Sequence, residues 1–425
     1  MNPESLTLDT DLDAAPARKS GFYETLVMRA FSQFTHGGLR MTWPDGHTRV
    51  FGAPGAAINA EIRVRDPGFF KHVALFGNVG FGESYVHGDW DTDDIAAVIA
   101  WFITNLFKTQ GSQASSTKVA GLNLLKAWNR ILHKLRPNSI TTSRRNISEH
   151  YDLGNEFYSL WLDQTMTYSA ARFESEGQSL EEAQHSKYDA LCQKLHLKPS
   201  DHVLEIGCGW GGFCTHAAKH YGCRVTAVTI SQEQHKFANE RVKREGLDHL
   251  VEVRLQDYRH ITGQFDKIAS IEMLEAVGDE YLEVWFAKCH EVLKPDGLLA
   301  FQAITTPDCR HKGLRQGVDW IQKHIFPGSL LLSVNRLNEA AGRTGDLFMH
   351  ALEDLGAGYA KTLRLWFERF NARLDEVKAL GFDERFIRKW NFYLQYCEAA
   401  FATRNISVIQ ATYTRPNNAS LHRSW

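Results

Sequence analysis

The most strongly patterned segment is Val203-Leu204-Glu205-Ile206, in which Val203, Leu204 and Ile206 give a short apolar run of strand length that leads at once into Gly207-Cys208-Gly209-Trp210-Gly211-Gly212-Phe213. Consecutive apolar positions suit a strand covered on both faces, and the glycines let the backbone approach a ligand with no Cβ between them. Further strand-like runs at 224–229, 250–254, 266–271 and 297–302 alternate with stretches of helical period. From about residue 150 onward the pattern therefore predicts an α/β fold with a doubly wound parallel sheet, starting at strand 202–206. Such sheets hold their ligands at the carboxyl ends of the strands.

The first quarter of the chain reads differently. Residues 21 to about 110 mix short strand-like runs with the turn signals Trp43-Pro44-Asp45-Gly46 and Asp66-Pro67-Gly68, and close on an apolar stretch from Ile95 to Phe107. That stretch falls short of the roughly 18 residues a membrane span requires, so a core helix capped by Asp93 or Asp94 is expected. A polar break follows at Gln110–Ser116, and then Val119, Leu122, Leu125, Trp128, Leu132 and Leu135 recur at helical spacing before Pro137. The expected organisation is a disordered 1–20, an N-terminal domain at 21–110, a basic linker with an amphipathic helix at 111–145, a ligand-binding domain at 146–410 and a tail at 411–425.

Charge adds one feature. The net charge of −2 gives no attraction to nucleic acid, but between Ile95 and Ser148 there is no acidic residue, while Lys108, Lys118, Lys126, Arg130, Lys134, Arg136, Arg144 and Arg145 all fall there. The amphipathic helix can lie on an anionic membrane or pack as an ordinary interdomain helix with a solvated basic face; both readings stand. Seven cysteines without a Cys-x-x-Cys pair indicate neither a disulfide framework nor a zinc site, and no metal is expected. A reducing cytosol is the simplest setting.

The glycine spacing narrows the ligand. A dinucleotide site wants G-x-G-x-x-G and an acid at the end of the second strand to hold the ribose. Here the glycines run Gly207-x-Gly209-x-Gly211, Glu205 precedes them, and the second strand ends in Thr229. A pyrophosphate cofactor is disfavoured, and a sulfonium nucleoside without phosphate fits better.

Several ordered motifs now point to a family: Glu205 to Gly212, Val228-Thr229-Ile230-Ser231-x-x-Gln234, Gln256-Asp257-Tyr258, Glu275-Ala276-Val277-Gly278 and Phe326-Pro327-Gly328. With His150-Tyr151-Asp152-Leu153-Gly154-Asn155, Thr167-Tyr168-Ser169 and Tyr359-Ala360-Lys361-Thr362-Leu363, the chain resembles the cyclopropane fatty acid synthases over about residues 45 to 410. The resemblance implies a class I methyltransferase fold, Rossmann-like, with a small N-terminal α+β domain for lipid interaction and dimerisation. The implied activity is S-adenosylmethionine-dependent methylation of the double bond of acyl chains in membrane phospholipids. Gly207, Gly209 and Gly211 would flank the methionine part of the cofactor, Thr229, Ile230 and Gln234 the ribose and its surroundings, and Gln256, Asp257 and Tyr258 the adenine. Tyr168 and Ser169 would close over it from the preceding helical segment, while Gly212 reads as a packing glycine.

The reaction demands a base, because methyl transfer to an alkene leaves a carbocation that must lose a proton. Loss from the new methyl closes a cyclopropane; loss from a neighbouring carbon leaves a methylated or methylene-bearing chain. The family resemblance implies a bound bicarbonate as base, and this chain keeps Glu275 and Tyr359 of its cage. Ala170 stands at the cysteine position, Gln302 at the histidine position and Ala276 at that of a second histidine. Ala170 brings no side-chain donor and Gln302 only a neutral amide, which puts bicarbonate binding in doubt. Glu272, where many family members carry glycine or another small residue, is the candidate replacement, acting with Glu275 as a fixed carboxylate. The alternative is that Glu272 bonds a loop backbone or caps the next helix.

The reading is thus a C-methyltransferase acting on phospholipid acyl chains, cytoplasmic and peripheral to the inner face of the membrane, giving a cyclopropane or a methylated product. A homodimer and a downstream fatty-acid-modifying enzyme are possible partners. Two rivals stand beside it: a methyltransferase of a small soluble substrate on the same fold, and a non-catalytic lipid-binding protein.

Overall fold

The computed structural model describes residues 21–53, 55–108 and 153–421. The expectations for residues 1–20, for the 111–145 linker and for its amphipathic helix lie outside the described residues.

The N-terminal domain begins with α1 (Phe22–Phe31) and the hairpin β1 (Gly38–Thr42) and β2 (Thr48–Phe51), turned at the expected Trp43–Gly46. Strand β3 (Ile58–Val64) lies parallel to β1, and β4 (Trp90–Asp91) closes the order β2-β1-β3-β4. Asp66-Pro67-Gly68 opens a 20-residue helix, α2 (Gly68–His87), which the short-strand reading of this region did not anticipate; it is kinked at Gly77, where the backbone leaves helical geometry. The apolar stretch forms α3 (Ile95–Lys108), with Asp94 Oδ1 accepting from the Ala97 N–H at 2.9 Å.

The second domain runs α4 (Asn155–Ser159), α5 (Leu180–Lys194), β5 (His202–Ile206), α6 (Gly212–Tyr221), β6 (Arg224–Thr229), α7 (Gln232–Arg244), β7 (Val251–Leu255), β8 (Phe265–Ile271), α8 (Leu274–Val277), α9 (Leu282–Val292) and β9 (Leu293–Thr305). It continues through α10 (Asp308–Gln316), α11 (Trp320–His324), α12 (Val334–Thr344), β10 (Phe348–Asp354), α13 (Gly356–Ala372), α14 (Leu374–Ala379), α15 (Glu384–Ala402) and β11 (Ser407–Thr414). The sheet order is β10-β11-β9-β8-β5-β6-β7, with β5 to β9 parallel and β11 antiparallel to both of its neighbours. The strand order reverses between β5 and β8, and a crevice opens there. Val203, Leu204 and Ile206 are fully buried, as a strand covered on both faces requires. Because β11 pairs with β9 up to Tyr413, the sheet does not end at 410; the segment expected to be a tail from 411 contains the second half of an interior strand.

Helix α15 joins the domains. It starts on an Asp383 cap, and its Phe392 ring meets Trp320 at 4.7 Å and Tyr85 at 5.7 Å. Gly82 is needed here, since a Cβ would come within 2.5 Å of Trp320 and 2.7 Å of Phe392. Arg388 donates to the Tyr85 and Trp90 carbonyls and to Asp91, and Gln395 accepts from the Ile95 N–H at 3.0 Å. One hydrophobic core therefore runs through both domains. Among the described residues, no helix is long and apolar enough to cross a membrane.

Candidate active site

Two cavities meet at the carboxyl edge of the sheet. The first is the crevice beyond β5, β6, β7 and β8. Its wall contains Tyr168, Ser169, Gly207, Gly209, Thr229, Ile230, Gln234, Gln256, Asp257 and Tyr258, so ten of the eleven sequence-derived cofactor candidates come together. Gly211 is the exception: it turns the chain into α6 with its open side against Ala238, away from the crevice, while Gly212 lines the wall and packs under Tyr188. Gly207 has φ +85°, and a Cβ there would come within 2.8 Å of Met273, so only glycine suits the position.

Hydrogen bonds fix the wall. Thr229 Oγ1 donates to Gln234 Oε1 at 2.9 Å and accepts from the Ser231 N–H. Asp257 pairs with Arg259 through both carboxylate oxygens, at 2.9 and 2.7 Å; burial opposes its charge, but the guanidinium holds its carboxyl below the usual range. Buried Arg241 donates to the carbonyls of Gln164, Thr165 and Trp210, tying the 164–165 loop to the glycine turn. Tyr168 and Ser169 lie on an extended loop after α4 rather than on a helix, and the Tyr168 hydroxyl is 2.6 Å from that of Tyr393.

Two residues that sequence reasoning left unassigned belong to this region. Glu205 lines the crevice, is buried, keeps one carboxylate oxygen without a protein partner, and has its pKa pushed up to about 8 by that burial. Lys187 is fully buried, donates to Ser169 Oγ at 2.7 Å, and is driven down to about 7 by desolvation. A signal for Lys187 existed: it occupies the apolar stripe of α5 with Leu180, Ala183 and Leu191.

The second cavity holds about 980 Å³ and is mainly apolar. The N-terminal domain contributes Phe31, Val73, Phe81, Ile99, Phe102 and Ile103; the second domain contributes Ile321, Phe326, Leu363, Cys397, Ala400 and Phe401. Tyr168, Glu272 and Ala276 line both spaces, and Glu275 and Tyr359 line the second.

At the junction Glu272 is held from three directions. Its Oε1 accepts from the Ala170 N–H at 2.8 Å and from Gln302 Nε2 at 2.7 Å, and its Oε2 accepts from the Tyr359 hydroxyl at 2.8 Å. Ala170 thus donates after all, through its backbone. Of the two alternative roles for Glu272, the bond to a loop backbone is present, from the Ala170 N–H, while helix α8 takes no side-chain cap from it. The residue has φ +47°, a left-handed conformation that glycine adopts freely and glutamate does not. Three hydrogen bonds hold a strained backbone in place, and residual strain of this kind concentrates at functional sites.

Glu275 is the other carboxylate. One oxygen accepts from the Ile304 N–H, the second has no protein partner, and burial together with the charge of Glu272 pushes its pKa up to about 8. Burial also raises Glu272, but its three donors oppose that shift, whereas the charge of Glu272 adds to burial in raising Glu275.

The residues fit one implied ligand and not the other. In the crevice, Arg259 is the one cation among the described wall residues and is neutralised by Asp257, while an orphaned carboxylate oxygen awaits a donor. This suits a nucleoside with an ammonium-bearing arm and no phosphate. Bicarbonate does not fit: Ala170, Gln302 and Tyr359 already direct their hydrogen bonds to Glu272.

Fold and crevice together define a class I S-adenosylmethionine-dependent methyltransferase. The profile of the family described as mycolic acid cyclopropane synthetase matches residues 138–411. The chain is 38% identical over 399 residues to the tuberculostearic acid methyltransferase of Mycobacterium tuberculosis, covering 90% of this chain and 88% of that one. It is 38% identical over 374 residues to the cyclopropane-fatty-acyl-phospholipid synthase of Escherichia coli, covering 85% and 90%. Among solved structures, the mycolic acid cyclopropane synthase CmaA1 in complex with SAH and CTAB superposes with a TM-score of 0.60 at 30% identity, over 64% of this chain and 98% of that one. The chain belongs to the cyclopropane synthetase family.

Proposed function

We propose that this enzyme methylates the double bond of unsaturated acyl chains in membrane phospholipids, with the carboxylate of Glu272 taking the proton that the family's bicarbonate would otherwise take. The observation that carries the reading is the meeting of the two cavities at Glu272, with an apolar space on one side and the cofactor crevice on the other. When bound, S-adenosylmethionine supplies an electrophilic methyl group. Gly207 and Gly209 give its methionine arm a close backbone approach, and Glu205 offers its ammonium an acceptor. Thr229, Ile230 and Gln234 would hold the ribose, and Gln256, Asp257 and Tyr258 the adenine.

The apolar cavity serves to hold an acyl tail dry with its π bond toward the crevice, which a small polar substrate would not need. Methylation of one alkene carbon leaves positive charge on its neighbour. Glu272 then acts twice, stabilising that charge electrostatically and accepting a proton from an adjacent carbon. Tyr359, Gln302 and the Ala170 N–H orient the carboxylate, while protonated Glu275 leaves the site with a single negative charge. A base fixed to the chain samples fewer positions than a small diffusible anion. The reading therefore favours a methylated or methylene-bearing product over a ring, a product a further fatty-acid-modifying enzyme could consume.

The N-terminal domain, through α1, α2 and α3, forms one side of the acyl wall, so its role is lipid engagement, with dimerisation a further proposal by family resemblance. Peripheral attachment to the inner membrane face is proposed from the basic stretch before residue 148. Mass spectrometry after incubating enzyme, cofactor and unsaturated phospholipid vesicles, with ozonolysis of the products to tell a retained double bond from a ring of equal mass, tests the reading: acyl species gain a net CH2 and keep a cleavable double bond, and no mass gain in any acyl species overturns it.

A further inference from the structure

Glu272 is the end of a chain of side-chain hydrogen bonds that reaches the protein surface. Lys194, in the last turn of α5, is 19% exposed; its Nζ donates to Gln410 Oε1 at 2.8 Å and to Glu353 Oε2 at 2.5 Å. Gln410 stands mid-strand on β11, in register with Gln302 on β9, and its Nε2 donates to Gln302 Oε1 at 3.1 Å. Gln302 Nε2 in turn donates to Glu272 Oε1 at 2.7 Å. Both glutamines are completely buried, so no water substitutes for a lost partner without rearrangement.

The polarity of this chain is set at its ends. An ammonium group can only donate and a carboxylate can only accept, whereas each amide carries one accepting and one donating end. With Lys194 at one terminus and Glu272 at the other, a single orientation of the two amides satisfies every link. Turning either amide over brings like ends together and costs two hydrogen bonds in a site of low dielectric. Two backbone carbonyls assist in the same sense: Gln410 Nε2 lies 3.4 Å from the Lys187 carbonyl and Gln302 Nε2 lies 3.2 Å from that of Ala170. Their presence makes the contribution of Lys194 partial.

We propose that Lys194 is a positioning residue for the reaction, holding the Gln302 amide with its N–H toward Glu272 through Gln410. The proposal rests on the reading of Glu272 as the base. Without the ammonium group, a fraction of molecules presents Gln302 Oε1 to the carboxylate, which favours protonated Glu272 and withdraws the base. The charged and titratable groups that face Glu272 are Glu275, Lys187 and Tyr359, and those that face Lys194 are Glu353 and, through it, Arg172. None of them is altered in a Lys194 variant.

The test is turnover of the full chain on unsaturated phospholipid vesicles across the neutral pH range, with cofactor affinity measured alongside, for Lys194→Met, Lys194→Arg, Gln410→Leu and Glu272→Gln. Lys194→Met is expected to move the acidic limb of the rate profile upward by about half to one pH unit, with cofactor affinity unchanged. Lys194→Arg restores the wild-type limb, and Gln410→Leu, which cuts the chain at its centre, shifts it in the same direction as Lys194→Met. An unshifted limb in both Lys194→Met and Gln410→Leu, beside an inactive Glu272→Gln, overturns the positioning role and leaves the base intact. A uniform loss at every pH in these two variants, not restored by Lys194→Arg, also overturns it. Wild-type turnover and products in Glu272→Gln reject instead the base assignment on which the proposal stands.

Discussion

The cofactor crevice and the apolar cavity share a wall, yet they are assembled in opposite ways. The crevice is made mainly by the ends of successive strands and the turns that leave them, with Tyr168 and Ser169 added from the loop after α4. The cavity is made by helix faces from two domains, joined through α15. Rigid strand ends suit a constant cofactor, whose atoms must be met the same way each turnover. Helix faces with varied side chains suit a long apolar substrate whose fit depends on shape. Glu272, at the tip of β8, belongs to both, which places the proposed base on the rigid partner and exposes it to the variable one.

Substitutions on the two sides should separate accordingly. Glu272→Gln is expected to lower turnover by about 10²–10⁴-fold, the usual range for a general base, while cofactor affinity stays near wild type; calorimetric titration beside a methyl-transfer assay reads both. Equal losses of affinity and turnover would merge the two regions into one. Tyr359→Phe removes a hydrogen bond to a charged acceptor, commonly about 1.5–3 kcal/mol, so turnover should fall roughly 10- to 100-fold. Since Tyr359 lines the apolar side, cofactor binding should again be spared.

Gly207→Ala is the converse. A Cβ at φ +85° and within 2.8 Å of Met273 should weaken cofactor binding by about tenfold, with a smaller effect on the rate at saturating cofactor. The smallest effect is expected at Glu275. Its folded pKa of about 8 lies above the unfolded value near 4.5, so the folded state binds more protons between these limits and stability falls as pH rises through them. Glu275→Gln should flatten the melting temperature over that window; an unchanged slope would place the proton elsewhere in the pair.

The same contrast governed what could be read from the sequence. Strands 202–206 and 224–229 were legible at their observed bounds because a parallel strand buried on both faces is rich in apolar residues, here Val203, Leu204 and Ile206 and Val225, Ala227 and Val228. The edge strand β10 is mostly exposed and carries no such run. Strand β11 is interior, but Gln410, Thr412 and Thr414 interrupt its apolar positions, and the expected tail from 411 cuts it in half; Gln410 and Thr414 are hydrogen-bonded inside the sheet or beside it, while the buried Thr412 hydroxyl has no protein partner. Ten crevice residues followed from contiguous motifs, while Gly211, in the same glycine turn, stands against Ala238 and does not line the crevice. The surroundings of Glu272 draw on residues 170, 302 and 359, brought together by sheet order, and the Ala170 donor is a backbone group that no side-chain pattern reveals.

The central claim is that a side-chain carboxylate has taken the place of a bound anion. Its most direct test is the turnover of the wild-type enzyme on unsaturated phospholipid vesicles in buffer stripped of carbonate and then titrated with bicarbonate. A rate and product pattern indifferent to the anion are predicted, because Glu272 already occupies its hydrogen-bond donors. A rate that collapses on stripping and returns with bicarbonate would contradict the account.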